Sequence, residues 1–458
     1  MAIPVPIVGQ AYADDTLPFA QQECVNWFVE QVETDGALVP AKLRGCSGMA
    51  AFATAGSAGH RGACVMDGVL YVVAGTSLYS VSQGAVATSL GTVPGDGRVS
   101  MVENGTQLLI VNGTATGYTY TPASATFAAI TDSDFLGGVT AAFLNGSAIV
   151  TNPDSDEFQL SDLLDFRAWA ALSSGAIESR SGDTLAVIED HGELWFYKAN
   201  VIERWVSGGD DDLPYERVDT IPQGTAATHS VVATDNRVFW LGTDGVFWAN
   251  PSSPERISTF AIEQAIKGET LSTCFAMAYT ERGHKFIAWT FPSGNGKTWV
   301  YDVATRMWHR RKSYEISRWR ANTHAFCYGK NLFGDYSNGT IWELSDTTYA
   351  EGSDPLIAER KTQYLHNGGE WVSMPELELV FDVGNGLNTG QGSNPLVDFR
   401  YSDDGGHSFC DFKQRSLGTT GQYGTRVRFD RLGRFRQRMF HIRVSDPVKR
   451  DLLAAVAR

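Results

Sequence analysis

The chain has 458 residues, 43% of them hydrophobic and 11% aromatic, which is enough for a large core divided over two or three domains. Lys and Arg number 37 against 52 Asp and Glu, a net charge of −15 that repels free nucleic acid and argues against a general DNA binder. No stretch reaches the roughly 18–20 apolar residues of a membrane helix, and the opening MAIPVPIVGQAYADD has neither a basic n-region nor an apolar h-region, so a soluble, cytoplasmically made chain is expected.

Residues 1–54 show no repeat and read as an arm that crosses the body of the protein or a neighbouring subunit. From residue 55 onward Gly recurs between short runs of Val, Ile, Tyr, Phe and Trp, the signature of strands and turns. One unit repeats, a turn, a strand, a second turn and a second strand, at Asp67–Val81, Asn104–Tyr120, Asn145–Leu160 and His191–Val206. It recurs at Asp235–Asn250, Arg282–Asp302 and Tyr328–Leu344. The starts fall about 37 to 47 residues apart, the length of a four-stranded propeller blade.

An all-β chain follows, with a β-propeller of about seven blades over residues 55–350. Six blades stay open because Asn145–Leu160 lacks paired aromatics, and unrelated hairpins in two sandwiches are the alternative. Runs such as Leu194–Phe196 and Val238–Trp240 are continuously apolar, as strands buried on both faces require. One helix is predicted at Arg256–Gly268, with Ser258 or Thr259 as cap, and is expected to pack on the surface between blades. Over residues 351–458 the repeat stops, and strands around Val372–Val383, Leu396–Ser402, Thr425–Phe429 and Arg438–Val444 predict a C-terminal β-sandwich.

Catalytic signals are weak. SDDGGHSF fits the Asp-box pattern of sialidase propellers through Ser402, Asp404, Gly406, Ser408 and Phe409, but that motif ties a hairpin turn and performs no chemistry. A glycosidase needs two carboxylates flanking a bond, or a Tyr nucleophile with an Arg cluster. Glu203, Arg204 and Asp210–Asp212 are the candidates, and they read equally as a strand-end ion pair and a solvated loop. The nine histidines form no metal-binding pair, and His309 is expected to be half-exposed after Trp308. The six cysteines stand singly and read as buried free thiols. No catalytic residue, metal or cofactor is assigned.

Between Lys413 and Arg450 lie eleven Lys or Arg against Asp430 and Asp446. Strand alternation puts Arg426 and Arg428, and then Arg434, Arg436 and Arg438, on one face. That face is a solvated exterior, a contact with the acidic propeller of an adjacent subunit, or a phosphate-binding surface; the five arginines are candidate contacts to a second subunit or an adaptor.

The same residues carry a resemblance to the podovirus packaged-DNA stabilisation or tail nozzle (tail accessory factor) proteins. Near the start it rests on Asn26, Phe28, Glu30, Leu43–Met49 and Arg61–Gly62, with Cys46–Ser47–Gly48 where the family usually has Pro-Gly. It continues through GRVSM (Gly97–Met101), FQLSDLLDFRAW (Phe158–Trp169), RISTFAIE, TWVYDVATRMWHRR (Thr298–Arg311) and YGKNLFGDYSNGTIWEL. It ends in RLGRFRQRMFHIRVSDPVK (Arg431–Lys449).

The resemblance implies a virion tail subunit, not an enzyme, made in the bacterial cytoplasm and forming a hexameric ring below the portal and adaptor. Its partners would be those connector proteins and a tail fibre, tailspike or plug, with genomic DNA passing without sequence-specific binding. An acidic or neutral lumen wall is expected, with the arginines at contacts elsewhere. A glycan-binding or sialidase-like propeller is the alternative function.

Overall fold

The structure, a computed structural model, describes residues 3–13, 21–34, 39–210, 213–249 and 253–458. Each of the seven repeat units folds as the second and third strands of a four-stranded antiparallel sheet. Turn chemistry explains the regularity. Asp67–Gly68, Asn145–Gly146, His191–Gly192, Asp235–Asn236, Arg282–Gly283 and Tyr328–Gly329 all have positive φ at both positions, as a two-residue type I′ hairpin demands. The unit at Asn145–Leu160, without paired aromatics, is a full blade of Ala141–Leu144, Ser147–Thr151, Glu157–Asp162 and Asp165–Ala176.

The innermost strands follow one another around a ring, and the last, Ala321–Cys327, packs back on the first, His60–Met66. Both faces of every blade are covered. In the fourth blade Leu194 and Phe196 pack toward Ile149 and Phe158 of the third, while Trp195 and Tyr197 pack toward Val238 and Trp240 of the fifth. Each such aromatic contributes about 1.5–3 kcal/mol of burial, and the double coverage is why the strands read as unbroken apolar runs.

The seventh blade takes its outer strand from the other end of the chain. Gly48–Thr54 pairs antiparallel with Thr340–Ser345, setting Ala53 opposite Ile341 and Met49 opposite Leu344. The described strands within residues 3–54, a region read from the sequence as an arm, are thus built into the body. Gly48–Thr54 closes the propeller, and the strands before it complete the sandwich.

One sandwich sheet runs Trp27–Gln31, Ala41–Gly45, Leu452–Ala457, Glu376–Phe381 and Val427–Asp430, with Ile3–Val5 beside Leu452–Ala457. The other runs Gln21–Val25, Ala358–Lys361, Gln437–Val444, Leu396–Ser402 and Lys413–Ser416. Its strand Gln21–Val25 also lies parallel to Met307–Arg311 of the sixth blade, so the two domains share a hydrogen-bonded sheet. Asn26 makes the step between the sandwich sheets in a left-handed conformation (φ 52°), and its side-chain amide donates to Lys312 O and Ile357 O at 2.8 and 2.7 Å.

The helix spans Phe260–Lys267, with Thr259 Oγ1 accepting from Ile262 N. It sits between the fifth and sixth blades, and Ile262 and Ile266 join the same core as Ile7 and Ala11 of the N-terminal segment.

Candidate functional site

The arginine-rich strands belong to the sandwich, where alternation sends Val427, Phe429, Leu432 and Phe435 into the core and the arginines outward. The five candidates nevertheless have three different environments. Arg426 grips Glu378 through two guanidinium nitrogens, the Nε bond being 2.6 Å, and Arg428 lies 3.7 Å from both Glu376 and Glu378. Arg438 turns inward and is 1% exposed. Its guanidinium donates twice to Asp403 at 2.6 Å, once to Leu432 O, and lies on the rings of Tyr401 and Phe435. Alternation alone put Arg438 on the same face as Arg434 and Arg436; a bend at Arg436, between the strands Arg434–Phe435 and Gln437–Val444, separates them.

Arg434 and Arg436 are exposed and flank Trp371, their guanidinium carbons 5.4 and 5.1 Å from its ring centre. Trp371 is itself 53% exposed. With Tyr364, His366 and Asp403 these residues line a cleft of about 680 Å³. Among the described residues no carboxylate is within ion-pair distance of either arginine, since Asp403 is taken by Arg438. An exposed Trp between two unpaired guanidinium groups is the composition of a contact hot spot. Trp371 was not singled out from the sequence, although an aromatic directly after the turn residues Gly368–Gly369–Glu370 was the available signal.

The Asp-box residues form a closed turn. Ser402 Oγ and Ser408 N both donate to Asp404 Oδ1, Gly406 N donates to Ser402 Oγ, and Gly406 has φ 82°. Hydrogen bonds from Ser408 and Ser402 hold the Asp404 carboxyl well below the usual carboxylate range. Phe409 lies against His441 and under Arg400, at the sheet edge.

The hydrolase candidates do not converge. Glu203 is fully buried and accepts from Ser179 N and Trp205 Nε1 at 2.8 and 3.0 Å, whereas Arg204 points to the other face and holds Glu193. Asp210 accepts from Leu213 N, and Asp211 and Asp212 lie outside the described residues. Among the described residues no three metal-ligating side chains cluster.

His309 departs from its expected half-exposure. It is 2% exposed because Phe28 of the N-terminal segment covers the last strand of the sixth blade, and burial pushes its protonation well below the usual range. The six cysteines are unpaired. Burial pushes the Cys24 thiol up to about 11 and that of Cys46 up to about 12, which keeps them protonated and unreactive.

Fold and site together define a two-domain protein, a closed β-propeller fused to a β-sandwich with exposed arginines beside an exposed aromatic. Residues 1–349 match the family described as bacteriophage P22 Gp10, beta-propeller, and residues 358–458 match bacteriophage P22 Gp10, beta-sandwich. The chain belongs to the bacteriophage P22 Gp10 family and is a structural protein of the phage tail.

No curated protein matches the sequence. Among solved structures, a chain of the mitotic checkpoint complex is similar at 11% identity and TM-score 0.45, covering 69% of this chain and 97% of that one. The designed Ika8 protein is similar at 10% and 0.42 (70% and 99% covered), and streptogramin B lyase at 13% and 0.44 (70% and 98%). Likeness at this level says nothing of what the chain binds.

Proposed function

We propose that this chain is the nozzle subunit of a short-tailed phage, forming a six-fold ring that extends the DNA channel below the portal and adaptor. In this reading the ring helps retain packaged DNA and docks a distal plug, needle, tailspike or fibre. One observation carries it: matches to both domains of a phage tail protein family lie in order along a single chain and cover nearly all of it. The chain acts as a building block and not as an enzyme, in keeping with a buried Glu203 and an Asp box closed on itself.

Charge supports the arrangement. In a six-fold ring the lumen charges of all subunits add, so a basic wall would arrest DNA through counterion release while the net −15 chain favours a repelling one. Arg434, Arg436 and Trp371 then serve as contacts to the neighbouring subunit or the adaptor, where partner carboxylates accept forked hydrogen bonds. Native mass spectrometry and electron microscopy of the purified chain, alone and with its adaptor ring, test the reading. Six-copy rings are expected; a chain that stays monomeric with the adaptor present and turns over model glycosides overturns it.

A further inference from the structure

At the centre of the propeller, inner strands and crossing segments line an opening of about 310 Å³. Five of its eleven lining residues are small: Gly62, Ala63, Ala233, Ala276 and Ala278. Arg98 reaches into it from the segment that crosses from the first blade to the second. Its Nη1 donates to Asn322 O at 2.8 Å, and its guanidinium carbon sits 3.9 Å from the centre of the Phe275 ring.

Arg318, from the crossing between the sixth and seventh blades, approaches the same ring at 5.4 Å and donates to Asn322 Oδ1 at 2.9 Å. His229, from the crossing between the fourth and fifth blades, is bridged to Phe275 through its backbone.

The charge balance here is one-sided. Burial, and then the like charge of Arg318, pull the Arg98 guanidinium down to about 9. Burial pulls Arg318 down to about 10, and burial with the Arg98 charge takes His229 down to about 3, leaving a neutral imidazole beside the arginine. Asp335, the carboxylate that Arg318 feels, is already committed to Ser337 N, Trp342 Nε1 and Arg320. Among the described residues no carboxylate pairs with Arg98.

A guanidinium crowded by a like charge and without a carboxylate partner is half of an ion pair. The missing half must be small enough for an opening of about 310 Å³, and it must offer oxygen lone pairs to a forked donor. We propose that the central opening of the propeller binds a small oxyanion, a carboxylate or a phosphate, on Arg98, with Arg318 adding charge from beside it. The anion sits where the crossings of the first and sixth blades meet, so its binding tightens the ring by mass action. The site is distinct from the arginines of the sandwich and stands whether or not the chain forms a nozzle.

Isothermal titration of the purified full-length chain with sodium phosphate, and separately with sodium malonate, at an ionic strength fixed with sodium chloride, tests the proposal. Saturable one-site binding of at least one of them, with Kd about 1 mM or tighter, is expected. Binding of phosphate alone assigns a tetrahedral anion and binding of malonate alone a carboxylate.

Arg98→Met should weaken binding at least tenfold, while Arg434→Met on the sandwich leaves it unchanged. Should Arg98→Met not fold, Arg98→Lys keeps the charge, loses the fork and should still weaken binding severalfold. Absence of saturable binding of either anion to the wild-type chain overturns the proposal, as does binding that is unchanged in the Arg98 variant that folds.

Discussion

Arg438 is 1% exposed and closes two 2.6 Å bonds on Asp403, whose own side chain is 41% exposed. The pair is therefore asymmetric. Removing the arginine returns Asp403 to water, and the loss is the forked bond and the donor to Leu432 O. Removing the carboxylate strands a buried cation. Arg438→Met should cost about 2 kcal/mol, and Asp403→Ala about 3–5 kcal/mol. Urea denaturation followed by tryptophan fluorescence ranks the two. Equal losses, or a larger one for Arg438→Met, would show that packing on Tyr401 and Phe435 and not the charge holds this corner.

The exposed arginines should separate assembly from folding. Arg434→Glu with Arg436→Glu reverses two charges that have no internal carboxylate partner among the described residues, so the monomer's melting temperature should stay within a degree or two. Ring formation or adaptor docking should weaken, most visibly at low salt, where charge contacts act over a longer range. Arg426→Glu should do the reverse: it sets a carboxylate against Glu378 and destabilises the monomer by about 1 kcal/mol. Analytical ultracentrifugation at 50 and 300 mM salt, paired with melting curves, separates the two. A double reversal that assembles like wild type removes these residues from the interface.

What could be read from the sequence was local. Asp67–Gly68, Asn145–Gly146 and His191–Gly192 specify their own hairpins, and strands such as Leu194–Tyr197 announce burial on both faces without help from distant residues. Arg426 and Arg428, two residues apart, both reach Glu378. Partners were invisible, because Glu376 and Glu378 come from another strand and Asp403 from a distant turn. The same limit hid the closure of the seventh blade, whose two outer strands lie almost 300 residues apart, and the burial of His309 under Phe28. Arg98 lay within a quoted motif, but its exposure to a central opening depends on five blades meeting.

Closure of the ring includes a close backbone approach at Gly48. A Cβ on Gly48 would stand 2.2 Å from Ala350 O, 2.6 Å from Ala350 N and 2.9 Å from Thr348 O, and none of these backbone atoms can rotate away. Gly48→Val should therefore displace Gly48–Thr54 from the seventh blade and cost about 3 kcal/mol. It should also bare the edge of Thr340–Ser345, so aggregation on heating is expected. Gly424→Ala, with nothing within 4 Å of the added atom, is the matched control and should be neutral within about 0.5 kcal/mol. Limited proteolysis near residue 48 reads the release directly; a Gly48→Val chain as protease-resistant as the control would mean that the closing strand is held elsewhere.

His324 should make the propeller acid-sensitive at a pH above the carboxylate range. Its Nε2 is 3.0 Å from Asn331 Oδ1, its ring stacks near Phe333 and Tyr279, and burial pulls its proton affinity down to about 4. The unfolded chain protonates the same imidazole near pH 6.5. Because the folded value lies below the unfolded one, the contribution of neutral His324 is complete above about pH 6.5 and is lost as pH falls toward 4.

His324→Gln keeps an amide able to bond Asn331 and does not titrate. The stability difference between wild type and this variant should then shrink from pH 7.5 to pH 5 by roughly 1–2 kcal/mol, at about 1.4 kcal/mol per pH unit below the unfolded value. Comparing two chains cancels every other titrating group, including His284, which Asp302 pushes in the opposite direction. Urea midpoints at pH 7.5, 6.5, 5.5 and 5.0 supply the measurement. Parallel curves for the two proteins would show that the folded state takes up a proton at His324 as readily as the unfolded chain does.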